Sequence, residues 1–319
     1  MRRSARWASR RGSEPGMTQL ALVTVIHDSA DDLRRLLASV DRFLEPGPEI
    51  VVVDSGSSDA GVEVARVHGA KVVELGANRG FGAGSNAGLE QVTEPVTILI
   101  NPDVELIDSG LSRLAAEAGR RDVLLAPRLL NLDGSIQDSA HPLPGTLEAL
   151  IPAAVPRFLL PGPLRRRYEP WRSARPRRVG WAVAACIAAR TGTLRRLGPF
   201  DPDVFLFYED LDLCLRAADA GIPTELRPSV VLRHRGGASV ERALAGRDAE
   251  LRARRRREVM AGRGRRQLAL DDAAQAVTFA TRAAGRAALR RGGRYEREQL
   301  RALSAARRNG SAPRVLGAR

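Results

Sequence analysis

Lysine is almost missing from this chain: of 51 basic side chains only Lys71 is one, and arginine supplies the rest. That skew reflects genome composition rather than chemistry. Cysteine is scarce as well. Cys186 and Cys214 lie far apart with no paired spacing, which excludes a disulfide scaffold and a cysteine zinc site and fits a reducing cytosol. No run of about 18 apolar residues exists, so no transmembrane helix is expected. The longest clean apolar stretch, Trp181 to Ala189, is far too short to span a bilayer. The N-terminus is basic but lacks an apolar core segment, so it does not read as a secretory signal. Met17 directly precedes the first apolar strand and is the expected true start.

What remains is a 319-residue chain, 44% hydrophobic, too apolar for a disordered protein and long enough for one large domain with an appendage. Its net charge of +14 is uneven. Residues 1–16 carry +4 and read as a basic disordered tail. Residues 17–240 carry −3 and form the expected domain, and 241–319 carry +13 as an Arg-rich, largely helical extension.

From Leu20 the pattern alternates. Leu20–Ile26 and Ile50–Val53 are continuous apolar runs, as strands buried on both faces require. Between them Asp31 and Asp32 open a helical stripe through Leu33, Leu36, Leu37 and Val40. Val62–Val67 reads as helix, Lys71–Leu75 as strand, Ala83–Gln91 as a short helix and Val96–Ile100 as a fourth strand. This alternation predicts an α/β fold with a mostly parallel sheet flanked by helices. Residues 141–178, rich in proline and arginine, read as a long irregular connection. A helix over about 209–220 then stops at Gly221 and Pro223.

In such a sheet, ligands bind at the carboxyl ends of strands. Polar residues concentrate there: His27 and Asp28, then Asp54, then Asn78 to Asn86, then Asn101 and Asp103. Asp28 and Asp59 read equally well as helix caps. Gly80-Phe81-Gly82-Ala83-Gly84 is not a dinucleotide fingerprint, because it does not follow the first strand and Ser85 stands where the third glycine belongs. Its glycines would let backbone amides approach a diphosphate or a neighbouring loop. No phosphate-loop lysine and no Gly-x-Ser-x-Gly elbow occur, so kinase, dehydrogenase and α/β-hydrolase readings fall. Asn101-Pro102-Asp103 reads equally as a turn or as a carboxylate for a hard divalent ion. Glu209-Asp210-Leu211-Asp212 offsets a helix dipole, yet it follows Phe205-Leu206-Phe207-Tyr208, whose apolar surroundings suit a carboxylate to base work. His234 stands alone before Arg-Gly-Gly, and a lone histidine is more often structural than a ligand.

Taken together these residues resemble the family-2 glycosyltransferases, in their rhamnosyltransferase-like branch, from about Leu20 to Ser239. The likeness rests on Val51 to Asp59, Asn78 to Gly88, Asn101 to Val104, Gly198 to Asp201, Phe207 to Arg216 and His234 in one order. It implies a GT-A fold, a nucleotide-sugar donor, inverting transfer and a Mg²⁺ or Mn²⁺ cofactor. By that likeness His27, Asp28, Asp54, Asn78, Arg79, Gly80, Asn86 and Asn101 would bind the donor, with Asp54 at the nucleobase. Asp103 and His234 would contact the metal and diphosphate, Asp210 would be the general base, and Trp181 and Glu209 would line the acceptor site. The family usually has Tyr-Asn or Tyr-Ser where this chain has His27-Asp28. Asn101 also replaces one acid of the metal motif.

The implied function is transfer of a sugar, rhamnose from dTDP-rhamnose first among candidates and a UDP-sugar next, to a lipid-linked or polysaccharide acceptor of the cell envelope. The high charge invites a nucleic-acid-binding reading, but the body is net negative, holds few aromatics for stacking and lacks a binding motif. An inactive nucleotide-sugar-binding relative is countered by Asp103, Asp210 and His234. In the extension, Arg282, Arg286 and Arg290 recur every fourth residue beyond Arg254–Arg257, and suit a helix lying on anionic lipid as well as a solvated tail. The expected place is cytoplasmic, at the inner face of the cell membrane.

Overall fold

The computed structural model describes residues 19–155, 160–198, 200–201, 206–236, 248–290 and 292–308. The expected 1–16 tail, Met17, Pro199, Phe205 and residues 237–247 lie outside them. The described residues form two compact units, one of 19–140 with 171–236 and another of 141–170 with 248–308.

The first unit opens β1 (Leu20–Ile26), α1 (Ala30–Phe43), β2 (Glu49–Asp54), α2 (Gly61–His68), β3 (Lys71–Glu74), α3 (Gly80–Glu90) and β4 (Val96–Ile100). It continues with β5 (Val104–Leu106), α4 (Gly110–Ala118), β6 (Leu124–Leu130) and the short β7 (Ala140–His141). The second unit contributes α5 (Leu150–Ala154) and α6 (Gly162–Tyr168). Then come β8 (Arg177–Val179), β9 (Trp181–Ala182), β10 (Cys186–Arg190), α7 (Thr191–Leu197), α8 (Glu209–Asp219) and β11 (Thr224–His234). The C-terminal segment adds α9 (Asp248–Ala261), α10 (Arg265–Ala288) and α11 (Arg294–Arg308).

Nine strands make one sheet in the order β3-β2-β1-β4-β10-β6-β11-β5, with β8 beside β11. The pairings β3–β2, β2–β1, β1–β4 and β6–β11 are parallel. Because β10 is antiparallel to both β4 and β6, those two run the same way, and only β5, β8 and β10 oppose the rest. The carboxyl ends of β1, β2, β3, β4, β6 and β11 therefore share one edge, which also receives the start of β10. β1 lies between β2 and β4, so the strand order reverses beside it, where such sheets place their ligands.

The apolar runs fold as their patterns require. Every residue of β4 is buried, and α1 buries Leu33, Leu36, Leu37 and Val40 against the sheet core. The Ala83–Gln91 helix expected from sequence begins earlier, at Gly80, and so absorbs the glycine run. A Cβ on Gly84 would lie 2.6 Å from Val25 Cγ1, and one on Gly88 would strike Val23 and Val53. Gly84 and Gly88 seat α3 on β1 and β2, because the short helix touches two strands with no room for a methyl group. β11 carries a bulge: between Arg227, opposite Pro127, and Val231, opposite Arg128, three residues have no counterpart. Cys186 and Cys214 are buried free thiols, and burial pushes the Cys214 thiol up to about 12.

In the second unit, α9 and α11 bury Ala249, Ala253, Ala302 and Leu303 together, with Phe279 of α10 against them. Residues 141–170 are less irregular than expected, since they hold α5 and α6, and Thr281 of α10 donates to Ala153 O at 3.0 Å. The run Arg254–Arg257 is ion-paired. Arg254 and Arg255 reach Glu258, Arg256 grips buried Asp271 at 2.7 and 2.8 Å, and Arg257 pairs with Asp272. Periodicity shows the arginines but not the acids 15 residues on that neutralise them. Among the described residues no helix is long and apolar enough to cross a membrane.

Candidate functional site

The loops after β1, β2 and β3 are tied together at Ser55, a residue the sequence did not single out. Its N–H donates to Ile26 O, its carbonyl accepts from His27 Nδ1 at 3.0 Å, and its hydroxyl oxygen accepts from the Arg79 amide at 2.8 Å. Gly56 lets the second loop approach the third, since a Cβ there would lie 2.8 Å from the Ala77 carbonyl carbon, and its φ is +74°. Asp54, buried at the end of β2, accepts from the Ser57 amide at 3.0 Å.

Asp28 and Asp59 serve the same loops. Asp28 Oδ1 accepts from the Ser58 amide at 2.7 Å and from its hydroxyl at 3.0 Å, and these bonds hold its carboxyl below the usual value. Asp59 accepts from the Ala30 amide at 2.7 Å, which caps α1 from a distant loop. Asn78 Oδ1 accepts from the Gly80 amide at 3.1 Å at the start of α3, leaving Arg79 at the helix entrance. Asn86 is bonded to the backbone at Phe200. Its carboxamide donates to Phe200 O at 2.8 Å and accepts from Phe200 N at 2.7 Å, so both poles are spent on backbone.

Past β4, the chain turns at Asn101–Asp103 into β5. Asp103 is mostly buried. Its Oδ2 accepts from the Gly236 amide at 3.0 Å, and its Oδ1 lies 3.3 Å from His234 Nε2. Burial works to raise the Asp103 carboxyl, but His234 and the Gly236 amide outweigh it and hold the group below its ordinary value. His234 ends β11, and its Nδ1 meets Gln137 Oε1 at 2.8 Å. Among the described residues no group of three or more acids, histidines or cysteines gathers. The donor set is a pair, one carboxylate and one imidazole, which fits an ion that completes its shell with diphosphate oxygens or water.

Successive residues before β10 join this turn to α8. The Asn101 amide donates to Ala185 O at 2.9 Å, and the Ala184 amide donates to Asp210 Oδ2 at 3.3 Å. Asp210 Oδ1 accepts from the Leu211 amide at 2.7 Å. Glu209 opens α8 beside it. The two residues before them, Phe207 and Tyr208, both have left-handed φ, +72° and +64°, a costly conformation for large side chains. The Tyr208 ring lies 6.3 Å from that of buried Trp181. Asp212 accepts from Arg216 Nε at 2.8 Å, and Arg216 donates to Leu197 O and Gly198 O, so Asp212 braces the helix. Ser55 and Gln137 escaped sequence reading because each acts through contacts distant along the chain.

Residues 21–197 match the family model for glycosyl transferase family 2. The chain is 29% identical over 241 residues to an N-acetylglucosaminyl-diphospho-decaprenol L-rhamnosyltransferase of Mycobacterium tuberculosis, covering 70% of this chain and 78% of the relative. It is 25% identical over 210 residues to the low-salt glycan biosynthesis hexosyltransferase Agl10 of Haloferax volcanii, covering 63% and 62%. Among solved structures, the mannosyltransferase PcManGT of Pyrobaculum calidifontis, in complex with GDP-Man and Mn²⁺, superposes with a TM-score of 0.57. That pair shares 17% identity and covers 96% of this chain and 92% of the other. GalNAc-T7 with UDP, GalNAc and Mn²⁺ gives 0.54 at 16% identity, covering 78% and 52%.

Proposed function

The chain belongs to glycosyl transferase family 2, and from that premise we propose that it moves a sugar, with inversion, from a nucleotide-sugar donor to a lipid-linked acceptor. L-rhamnose carried on dTDP is the first donor to test, and a UDP-sugar the second. The observation that carries the reading is the Ala184–Ala185 step, which bonds the Asn101–Asp103 turn on one side and Asp210 on the other.

In this reading the loops of His27, Asp28, Asp54, Asn78, Arg79 and Gly80 receive the nucleotide, with Asn101 nearer the diphosphate. Asp103 and His234 would hold Mg²⁺ or Mn²⁺. When bound, that ion offsets the charge that develops on the leaving diphosphate. Asp210 accepts the proton of the acceptor hydroxyl. The acceptor oxygen bonds to the anomeric carbon as the carbon–oxygen bond to the diphosphate breaks, and the nucleoside diphosphate leaves. Trp181, Tyr208 and Glu209 flank the acceptor beside that base.

In this reading a lipid-linked acceptor would bring the enzyme to the inner face of the cell membrane. Support comes from the second unit, where Leu147, Ile151 and Leu164 are exposed apolar side chains. A turnover screen over nucleotide sugars with Mg²⁺ or Mn²⁺, using native protein and Asp210→Asn, tests the proposal. Release of nucleoside diphosphate that persists in Asp210→Asn would end the base assignment.

A further inference from the structure

The hydrogen bonds leading to His234 run in a single direction. They start at Asp133, whose carboxylate can only accept. The Ser135 hydroxyl donates to Asp133 Oδ1 at 2.6 Å, so its oxygen is left to accept from Asn131 Nδ2 at 2.9 Å. With that nitrogen engaged, Asn131 Oδ1 accepts from Gln137 Nε2 at 3.1 Å. The Gln137 carboxamide is thereby turned so that Oε1 faces His234 Nδ1 at 2.8 Å. An amide oxygen cannot donate, so Nδ1 carries the proton. With Nδ1 protonated, Nε2 is the nitrogen left to face Asp103 Oδ1 at 3.3 Å, as a donor to that carboxylate or, where a cation takes the proton's place between them, through its lone pair.

The backbone holds this arrangement in place. Residues 131–135 form a tight turn after β6, in which Asn131 N donates to Ser135 O at 2.8 Å, and Gln137 N donates to Leu129 O at 2.8 Å. β6 and β11 are parallel neighbours, so the turn and His234 arrive at the same edge side by side.

We propose that Gln137 is a positioning residue that fixes the Nδ1–H tautomer of His234 and so directs the Nε2 lone pair to a divalent cation shared with Asp103. The second half of this statement rests on the reading of Asp103 and His234 as the metal pair. The first half stands on the hydrogen-bond chain alone. A histidine ligand usually donates its other ring N–H to a fixed acceptor, and loss of that acceptor costs metal affinity.

Two readouts test it on the full chain. ¹⁵N-histidine labelling reports the tautomer under mildly alkaline, metal-free conditions. The chain has four histidines, so the spectrum of His234→Asn identifies the resonance of His234. Native protein and Gln137→Glu, which keeps an acceptor oxygen, are expected to show protonated Nδ1. Gln137→Leu is expected to shift His234 toward protonated Nε2. Binding of Mn²⁺ alone, followed by the resonance of the free ion, is expected to weaken on the order of 10–100-fold in Gln137→Leu and to stay near native in Gln137→Glu. An unchanged Nδ1–H signature in Gln137→Leu overturns the proposal whatever the Mn²⁺ result. If Gln137→Leu does not fold, Asn131→Ala frees the carboxamide to rotate, and an unmixed tautomer there overturns it equally. Undiminished Mn²⁺ binding by Asp103→Asn would instead refute the metal pair, while the tautomer spectrum still decides the role of Gln137.

Discussion

His234 Nε2 stands 3.3 Å from Asp103 Oδ1 across two strands that share only three paired positions, β11 and β5. The pairing of His234 with Val104 sets the imidazole one residue from the carboxylate it faces, and the Gly236 amide closes on the same carboxylate. A short antiparallel contact thus brings together two residues more than a hundred positions apart.

The first prediction concerns the base. Asp210→Asn keeps the size of the side chain and one oxygen, so one of the bonds from the Ala184 and Leu211 amides survives and the other is lost. We expect kcat to fall roughly 10²–10⁴-fold, the usual worth of a positioned base, with thermal unfolding near native. Asp212→Asn should do the reverse. It loosens Arg216 from the Leu197–Gly198 carbonyls and lowers the melting temperature more than it lowers kcat.

Glycines of opposite sign give the second prediction. Gly88→Ala forces a methyl group into Val23 and Val53, and overpacking of this kind costs about 1–3 kcal/mol. Gly285 lies within α10 with nothing within 4 Å of its missing Cβ, so Gly285→Ala should stabilise by roughly 0.5–1 kcal/mol. Urea unfolding of both variants checks the pair, and a destabilised Gly285→Ala would refute the account of that helix.

The third is a pH dependence far from the site. Glu225, at the start of β11, accepts two bonds from Arg121 at 2.6 and 3.0 Å and one from Arg227 at 2.6 Å. The Arg121 bonds lead, and with Arg227 they overcome burial and pull the Glu225 carboxyl down to about 2 from 4.5. A depressed carboxyl contributes stability above its unfolded value and loses it as pH falls toward the folded one. The stability gap between native protein and Glu225→Gln should therefore be full at neutral pH and shrink between about pH 4.5 and 2. Denaturant midpoints measured across that window test this, and a constant gap would contradict it.

The membrane reading gives the fourth. Leu147→Glu with Ile151→Glu should lower co-sedimentation with anionic vesicles while turnover on a short-chain soluble acceptor stays native. Equal sedimentation of native and variant protein would remove the second unit from any membrane contact.

How much of this was legible in the sequence differs by kind of interaction. The strands and α1 announced themselves because burial on two faces or one leaves a local pattern. The edge that gathers His27, Asp54, Asn78 and Asp103 followed from alternation alone, since parallel strands point their carboxyl ends together. The glycines of α3 were visible but their seating on β1 and β2 was not, because a glycine that seats a helix and one that opens a loop look alike in a sequence. Asn86 was visible too, yet its partner Phe200 lies 114 positions away. The neutralised arginines of α9 and the tautomer chain through Gln137 have no local signature, because each depends on which distant polar group arrives opposite.

The bulge in β11 divides that strand into two paired lengths and is itself the part that tolerates inserted or deleted residues. Within it, one residue more or fewer can be taken up where three already lack a counterpart, while Thr224–Arg227 ahead of it is paired to β6 and, as far as Leu226, to β8. Beyond it, Val231–His234 is committed position by position to β5 and β6. A single-residue slip there would turn the imidazole to the opposite face of the sheet and bring a neighbouring side chain to its place. Chain length can therefore drift within Pro228–Val230 and is locked on either side of it.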